Sequence, residues 1–169
     1  TRLMRVYSEE KDWTKLLDVV LKLAESIDDQ KQKAKYVHTA AGIAIRQAND
    51  LEQGIGLLAR VLELEPENDK ALRELVEARE GKEQWEDVAE LVQKQIERAE
   101  KTAERERQLE LHDKLAHVFK EKLGRVDAAI GELEKARAIA PDETARTEKL
   151  SELYVSDLDQ FVEIGRAHV

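Results

Sequence analysis

The side chains best suited to chemistry in this sequence are its four histidines. His112 and His117 are five apart, which puts them on different faces of a helix and not at the i, i+4 spacing by which two imidazoles share a metal ion. His38 and His168 have no second histidine nearby in sequence, and the chain contains no Cys. No metal site is expected, and His112, falling in an apolar helical stripe, reads as a residue packed between helices. Gly54-Ile55-Gly56 has the look of a phosphate-cradling loop, but it lacks a preceding strand and lies inside a helical pattern. Carboxylates are plentiful, yet they come with cations one helical turn away, as in Glu132 with Lys135 and Glu134 with Arg137. Such pairs support helices by roughly 0.2–0.5 kcal/mol each and read as solvated faces, not as a proton-transfer dyad. Ser, Thr and Tyr are sparse, and none is read as a nucleophile paired with a His. The expectation is a protein that is not an enzyme and uses no cofactor or metal.

The elements that would hold any functional surface are helices. Charged residues make up 38% and hydrophobic ones 41% of the 169 residues, with 7 Gly, 2 Pro and 4% aromatics. This usage, rich in Ala, Glu, Lys, Leu and Arg, is that of long helices, and the apolar residues recur with helical period, which a disordered chain does not need. The net charge of −9 argues against nucleic acid as a partner, because phosphate binding wants a concentrated positive surface. No apolar run approaches the ~18 residues of a membrane span, so no membrane insertion is expected. No leader pattern is visible; the chain opens at Thr1 without Met. The compartment stays open, the cytoplasm being slightly favoured.

Along the chain, Leu3, Met4 and Tyr7 mark a short stripe. Trp13 opens a helix with Leu16, Leu17, Val20, Leu21 and Ala24 on one face, and Asp28 or Asp29 caps the next, which carries Tyr36, Val37, Ala40, Ala41 and Ala44. Asn49, tolerant of the left-handed conformation, ends that helix, and Asp50 caps Leu51–Leu64. Gly54 and Gly56 should each cost this helix about 1 kcal/mol relative to Ala, and tight packing on a neighbour is the reason expected for both. Pro66-Glu67-Asn68-Asp69 makes a turn. A helix through Leu72, Leu75 and Val76 ends near Gly81, read as the left-handed terminator. Trp85 opens a helix through Val88, Val92 and Ile96, with the following turn near Lys101-Thr102 and Thr102 as cap. Leu109, His112, Leu115, Ala116 and Phe119 form the next face, ended by Gly124. Val126–Pro141 repeats Leu51–Pro66 after 75 positions, with Ile130, Gly131, Leu133 and Pro141 matching Ile55, Gly56, Leu58 and Pro66. Leu150, Leu153 and Tyr154, a turn near Ser156-Asp157, and Leu158, Phe161, Val162 and Ile164 complete ten helices in five antiparallel pairs. Units of this kind bury their apolar faces only by stacking.

Leu115, Ala116, Phe119, Gly124, Ala129, Leu133, Ala136 and Pro141 fit, in order, the pattern of a tetratricopeptide repeat, a two-helix unit of about 34 residues, with one extra residue before Gly124. A second copy runs through Ala40, Ala41, Ala44, Gly54, Leu58, Val61 and Pro66. Looser copies run through Leu72, Leu75, Val88, Val92 and Ile96, through Leu3, Tyr7, Trp13, Leu16 and Val20, and through Leu150, Tyr154 and Phe161. The chain thus resembles the tetratricopeptide repeat family, armadillo- and HEAT-type arrays being the related alternatives. The resemblance implies an all-α, right-handed α-solenoid of about five helix pairs, elongated and curved. It would be a single array over 1–169, with repeats 1–28, 29–66, 67–101, 102–141 and 142–169, apparently cut from a longer one.

The resemblance also implies a non-catalytic scaffold whose first helices line a concave groove for a peptide or helix of a protein partner. Carried over by motif, the groove positions are Arg5, Lys35, His38, Arg46, Arg73, Glu77, Glu80, Asp113, His117, Lys120, Glu148 and Glu152, more basic towards the N-terminal repeats and more acidic towards the C-terminal ones. The Lys/Asn set with which some family members hold a C-terminal carboxylate is not recognisable. The alternative is an assembly module that stacks end to end or forms a homo-oligomer through its exposed terminal helices, by Leu3, Met4 and Tyr7 or by Phe161, Val162 and Ile164.

Overall fold

The computed structural model describes residues 2–144 and 147–155. The tenth helix expected around Leu158–Ile164, with the turn before it, and His168 lie outside the described residues. Helices α1 (Arg2–Glu9), α2 (Trp13–Glu25), α3 (Gln30–Arg46), α4 (Leu51–Leu64), α5 (Asp69–Gly81), α6 (Trp85–Lys101), α7 (Arg105–His117) and α8 (Val126–Ile139) follow one another through short turns, and 147–155 is helical again. Among the described residues there is no strand, and no helix is long and apolar enough to cross a membrane. The chain divides into two compact units, the first running to Glu83 and the second starting at Gln84.

In the first unit the helix starts are closed by side chains. Asp12, Asp29, Asp50 and Asn68 each accept a hydrogen bond from a backbone N–H in the first turn, of Lys15, Gln32, Gln53 and Ala71 respectively. Each satisfies a donor that the helix itself leaves free. The core is aliphatic: Val20, Ala24, Ala34, Val37, Ala40, Ala41, Ala44, Leu58 and Val61 are fully buried. The row of alanines on α3 lets α4 come close. Gly54 sits at that approach, where an added Cβ would overlap Ile45 Cγ1 and lie 2.8 Å from its Cδ1. Gly56 departs from expectation: it is exposed and has nothing within 4 Å of the same added atom, so packing does not explain it. Tyr36 also departs. It is 36% exposed, because the buried face of α3 runs through Ala34, Val37, Ala40, Ala41 and Ala44 and leaves position 36 at its edge.

The second unit is built from Val88, Val92 and Ile96 of α6, Leu111 and Leu115 of α7, and a cluster of Ala116, Ala129, Ile130, Leu133, Leu150 and Leu153, with Phe119 packed against it. The helix starts at Gln84, Glu104 and Arg125 carry no side-chain cap hydrogen bond. The extra residue before Gly124 is absorbed by a π-helical turn, Val118–Lys122, in which the Leu123 N–H donates to Val118 O at 3.1 Å. A single inserted residue is what such a turn accommodates.

Left-handed residues end the first helix of each described pair: Lys11, Asn49, Glu83 and Gly124, with φ of 56, 53, 55 and 65°. Asn49 and Gly124 do as expected. The terminator assigned to Gly81 is instead Glu83, and Gly81 is the last residue of α5, since the helix runs until its carbonyls find closing N–H groups. Thr102 is likewise not the start of α7. It closes α6, its backbone N–H donating to Arg98 O and its hydroxyl to the Arg98 and Ala99 carbonyls, and Ala103 takes the left-handed turn at φ 56°.

Candidate functional site

In the first unit, α3 turns its alanines inward, and the opposite side faces α5 across a cleft of about 270 Å³. His38, Thr39, Gly42, Ile43, Arg46 and Gln47 line it from α3 and the residue after it, and Lys70 and Glu74 line it from α5. His38 Nε2 donates to Glu74 Oε2 at 2.7 Å, a half-buried bond that joins the two helices. Lys70 Nζ lies 3.9 Å from Glu74 Oε1, so the one carboxylate in the cleft faces two nitrogen donors. Arg46 folds back over its own helix: a Cβ on Gly42 would overlap its Nη2 and lie 3.1 Å from its Cζ. The bare backbone of Gly42 is therefore what lets the guanidinium lie along the cleft floor.

Of the residues expected to line a groove, His38 and Arg46 are brought together here. Lys35, Arg73 and Glu77 are exposed, and Glu80 is half-buried, without lining the cleft. Arg5 is exposed on α1, 3.5 Å from Glu9. In the second unit Asp113 is half-buried and His117 exposed near the end of α7, while Glu148 and Glu152 are exposed. Lys120 stands in the π-helical turn, 3.0 Å from Glu121. Thr39, Gly42, Lys70 and Glu74 are cleft residues that sequence reasoning did not name. The available signal is spacing: His38 and Glu74 are 36 residues apart, about one repeat length, which sets equivalent positions of successive first helices side by side.

The second unit holds a different polar pair. His112 is 2% exposed, as its stripe position suggests. Its Nδ1 lies 2.8 Å from Glu132 Oε2, and Lys135 Nζ donates to Glu132 Oε1 at 2.7 Å. Glu132 is thus not a member of a solvated face: it is 6% exposed, because α8 turns this position towards α7. Burial pushes its carboxyl up, but the hydrogen bonds from His112 and Lys135 outweigh this and hold it below the usual glutamate range. A second cleft, of about 380 Å³, runs between the start of α6 and Leu115 and Phe119. Arg125 bonds Glu86 across it at 2.6 Å, and Lys122 Nζ stands 4.7 Å from the centre of the Trp85 ring. Among the described residues no three His, Asp or Glu side chains are grouped so as to hold a metal ion.

No protein-family model matches the sequence, and no curated protein does. Solved structures do match in fold. The N-terminal domain of stress-induced protein-1 from C. elegans aligns with a TM-score of 0.58 at 15% identity, over 76% of this chain and 99% of that one. The MamA RS-1 ArsTM double mutant gives 0.54 at 13% identity, over 94% and 83%. MamA MSR-1 C2 gives 0.51 at 15%, over 92% and 83%. These are tetratricopeptide-repeat structures. The fold is therefore tetratricopeptide-like. In such a fold α3 and α5 are first helices of successive pairs, and the α3–α5 cleft of the first unit lies between them.

Proposed function

We propose that this chain is a non-catalytic protein-binding scaffold that receives an extended or helical segment of a partner protein on the first helices of its tetratricopeptide-like pairs. The observation that carries the reading is the α3–α5 cleft. It is polar and lined by charged side chains carried on two successive first helices. Among the groove positions of the first unit, Arg5, Lys35, Arg46 and Arg73 are the basic ones, beside His38, Glu77 and Glu80. Asp113, Glu148 and Glu152 supply the acidic character in the second, beside His117 and Lys120. A pull-down with the wild-type chain, repeated with Arg5→Glu, Arg46→Glu and Arg73→Glu, tests it. Loss of a bound protein on charge reversal is the expected result, and capture unchanged by all three rejects the basic half of the surface.

A second reading has its own observation. Leu3 is 55% exposed on α1, a helix with no buried residue, so this end has apolar surface that a second copy or further repeats could cover. Light scattering over a concentration series separates the readings, since a monomer at all concentrations argues against self-assembly through α1. Phe161, Val162 and Ile164, expected to serve the opposite end, lie outside the described residues.

A further inference from the structure

The α3–α5 cleft carries more than a general capacity to bind. Arg46 has neither a hydrogen bond nor an ion pair among the described residues, although it is held close over Gly42. In the same unit Arg5 faces Glu9 and Arg60 bonds Glu25. The cleft's single carboxylate, Glu74, already meets His38 at 2.7 Å and Lys70 at 3.9 Å. Two cations and one occupied carboxylate leave a small positive spot on a chain whose net charge is −9. That contrast selects among anions. A polyanion feels the repulsion of the whole acidic surface. A single carboxylate seated in the cleft feels mainly the groups within a Debye length of about 8 Å. The planar guanidinium matches a carboxylate with two parallel N–H donors, and a volume of about 270 Å³ accepts one short acidic side chain with parts of its neighbours.

We propose that the α3–α5 cleft recognises a peptide segment bearing one Asp or Glu flanked by neutral residues, with Arg46 taking the carboxylate and Lys70 adding charge beside it. Gly42 leaves room for the guanidinium, which an added Cβ would displace. The proposal rests on the scaffold reading above and names the partner chemistry for this site.

The test is an NMR titration of the full chain with a blocked heptapeptide, N-acetylated and C-amidated, carrying one Glu among Ala and Leu. Parallel arms use the same peptide with Gln in place of Glu, and inorganic phosphate. Shifts centred on the Gly42 amide and the Arg46 Nε–H are expected with the Glu peptide. About tenfold weaker binding is expected for the Gln peptide, and again for Arg46→Gln, that being the scale of one charge-assisted hydrogen bond, and a smaller loss for Gly42→Ala, which displaces the guanidinium without removing it. Lys70→Gln should weaken binding less and flatten its salt dependence. Equal binding of Glu and Gln peptides, or full affinity in Arg46→Gln, overturns the carboxylate assignment while leaving the cleft a peptide site. Shifts with phosphate but not with the Glu peptide overturn it in favour of an unselective anion site. No shift at the cleft with any peptide overturns both this proposal and the scaffold reading of the cleft.

Discussion

Two glycines in α4 should respond to the same substitution with opposite sign. Replacing Gly by Ala in a helix interior gains about 0.8–1 kcal/mol through lower backbone entropy in the unfolded chain and better helix propensity. At Gly56 nothing opposes the gain, because the new methyl group meets no atom within 4 Å, and Gly56→Ala should stabilise by about 1 kcal/mol. At Gly54 the methyl group would overlap Ile45 Cγ1 and crowd its Cδ1 at 2.8 Å. Ile is β-branched and held to one rotamer in a helix, so the strain is relieved only by moving α3 from α4, an overpacking cost of about 1–3 kcal/mol. The net for Gly54→Ala is a loss of about 1 kcal/mol after the propensity gain. Urea denaturation followed by circular dichroism reads both, the two midpoints moving apart from wild type in opposite directions. Ile45→Ala provides the control. With the isoleucine gone, adding Gly54→Ala should be neutral or stabilising, a coupling that a double-mutant cycle exposes. If Gly54→Ala and Gly56→Ala shift the midpoint alike, the helix contact described for α3 and α4 is not what placed a glycine at 54.

Other outcomes follow from the second unit and the turns. Glu132→Ala leaves the buried His112 without its acceptor and should cost about 1–3 kcal/mol in thermal unfolding, whereas Glu132→Gln, which keeps an acceptor, should cost less. Because the Glu132 carboxyl is held below its usual value of 4.5, its contribution is fully present above that pH and is lost as pH falls through the lower, folded value. The gap between wild type and Glu132→Gln should therefore close on acidification below about pH 4.5, and a gap independent of pH would refute the assignment. Glu83→Gly should stabilise by about 0.5–1 kcal/mol, since a left-handed conformation costs a non-glycine residue roughly 1–2 kcal/mol and glycine's extra freedom when unfolded returns part of it; chemical denaturation with unchanged slope is the check.

In the first unit, helix boundaries were legible where two independent signals agree: an Asp or Asn cap where the apolar stripe begins, and a turn where it fades. Asp29, Asp50 and Asn49 act as their residue types imply. Where only one signal existed, the reading slipped. Gly81 looks like a terminator, but Glu83 accepts the strain because the surrounding backbone bonds fix the turn, the Glu83 N–H donating to Glu80 O at 2.9 Å. Glu132 has the spacing of a surface pair with Lys135, and only α7 packing against α8 reveals that His112 draws it inward. Gly54 and Gly56 are indistinguishable in sequence because Ile45, the residue that separates them, belongs to another helix. The cleft shows the same limit: His38 and Arg46 were reachable from position within a repeat, whereas Glu74 and Lys70 matter only through the neighbouring first helix. Ion pairs between successive helix pairs within a unit, such as Glu25 with Arg60 and Glu86 with Arg125, recur at separations of 35 and 39 residues. One period along the chain is where cross-helix partners should be sought.

The uneven closing of helix starts has a consequence for how the molecule is made. Four side-chain caps, each worth about 1 kcal/mol, sit on α2 through α5, and α6, α7 and α8 begin without one. Synthesis delivers the capped half first. As each of its helices emerges, the residue that closes the start is already attached, so early helix pairs can hold before the later ones exist. The half without such caps relies more on packing and on bonds between helices, such as His112 with Glu132, and is the half where amide exchange should begin. The chain is thus built to settle from its N-terminal side, and to loosen from the other.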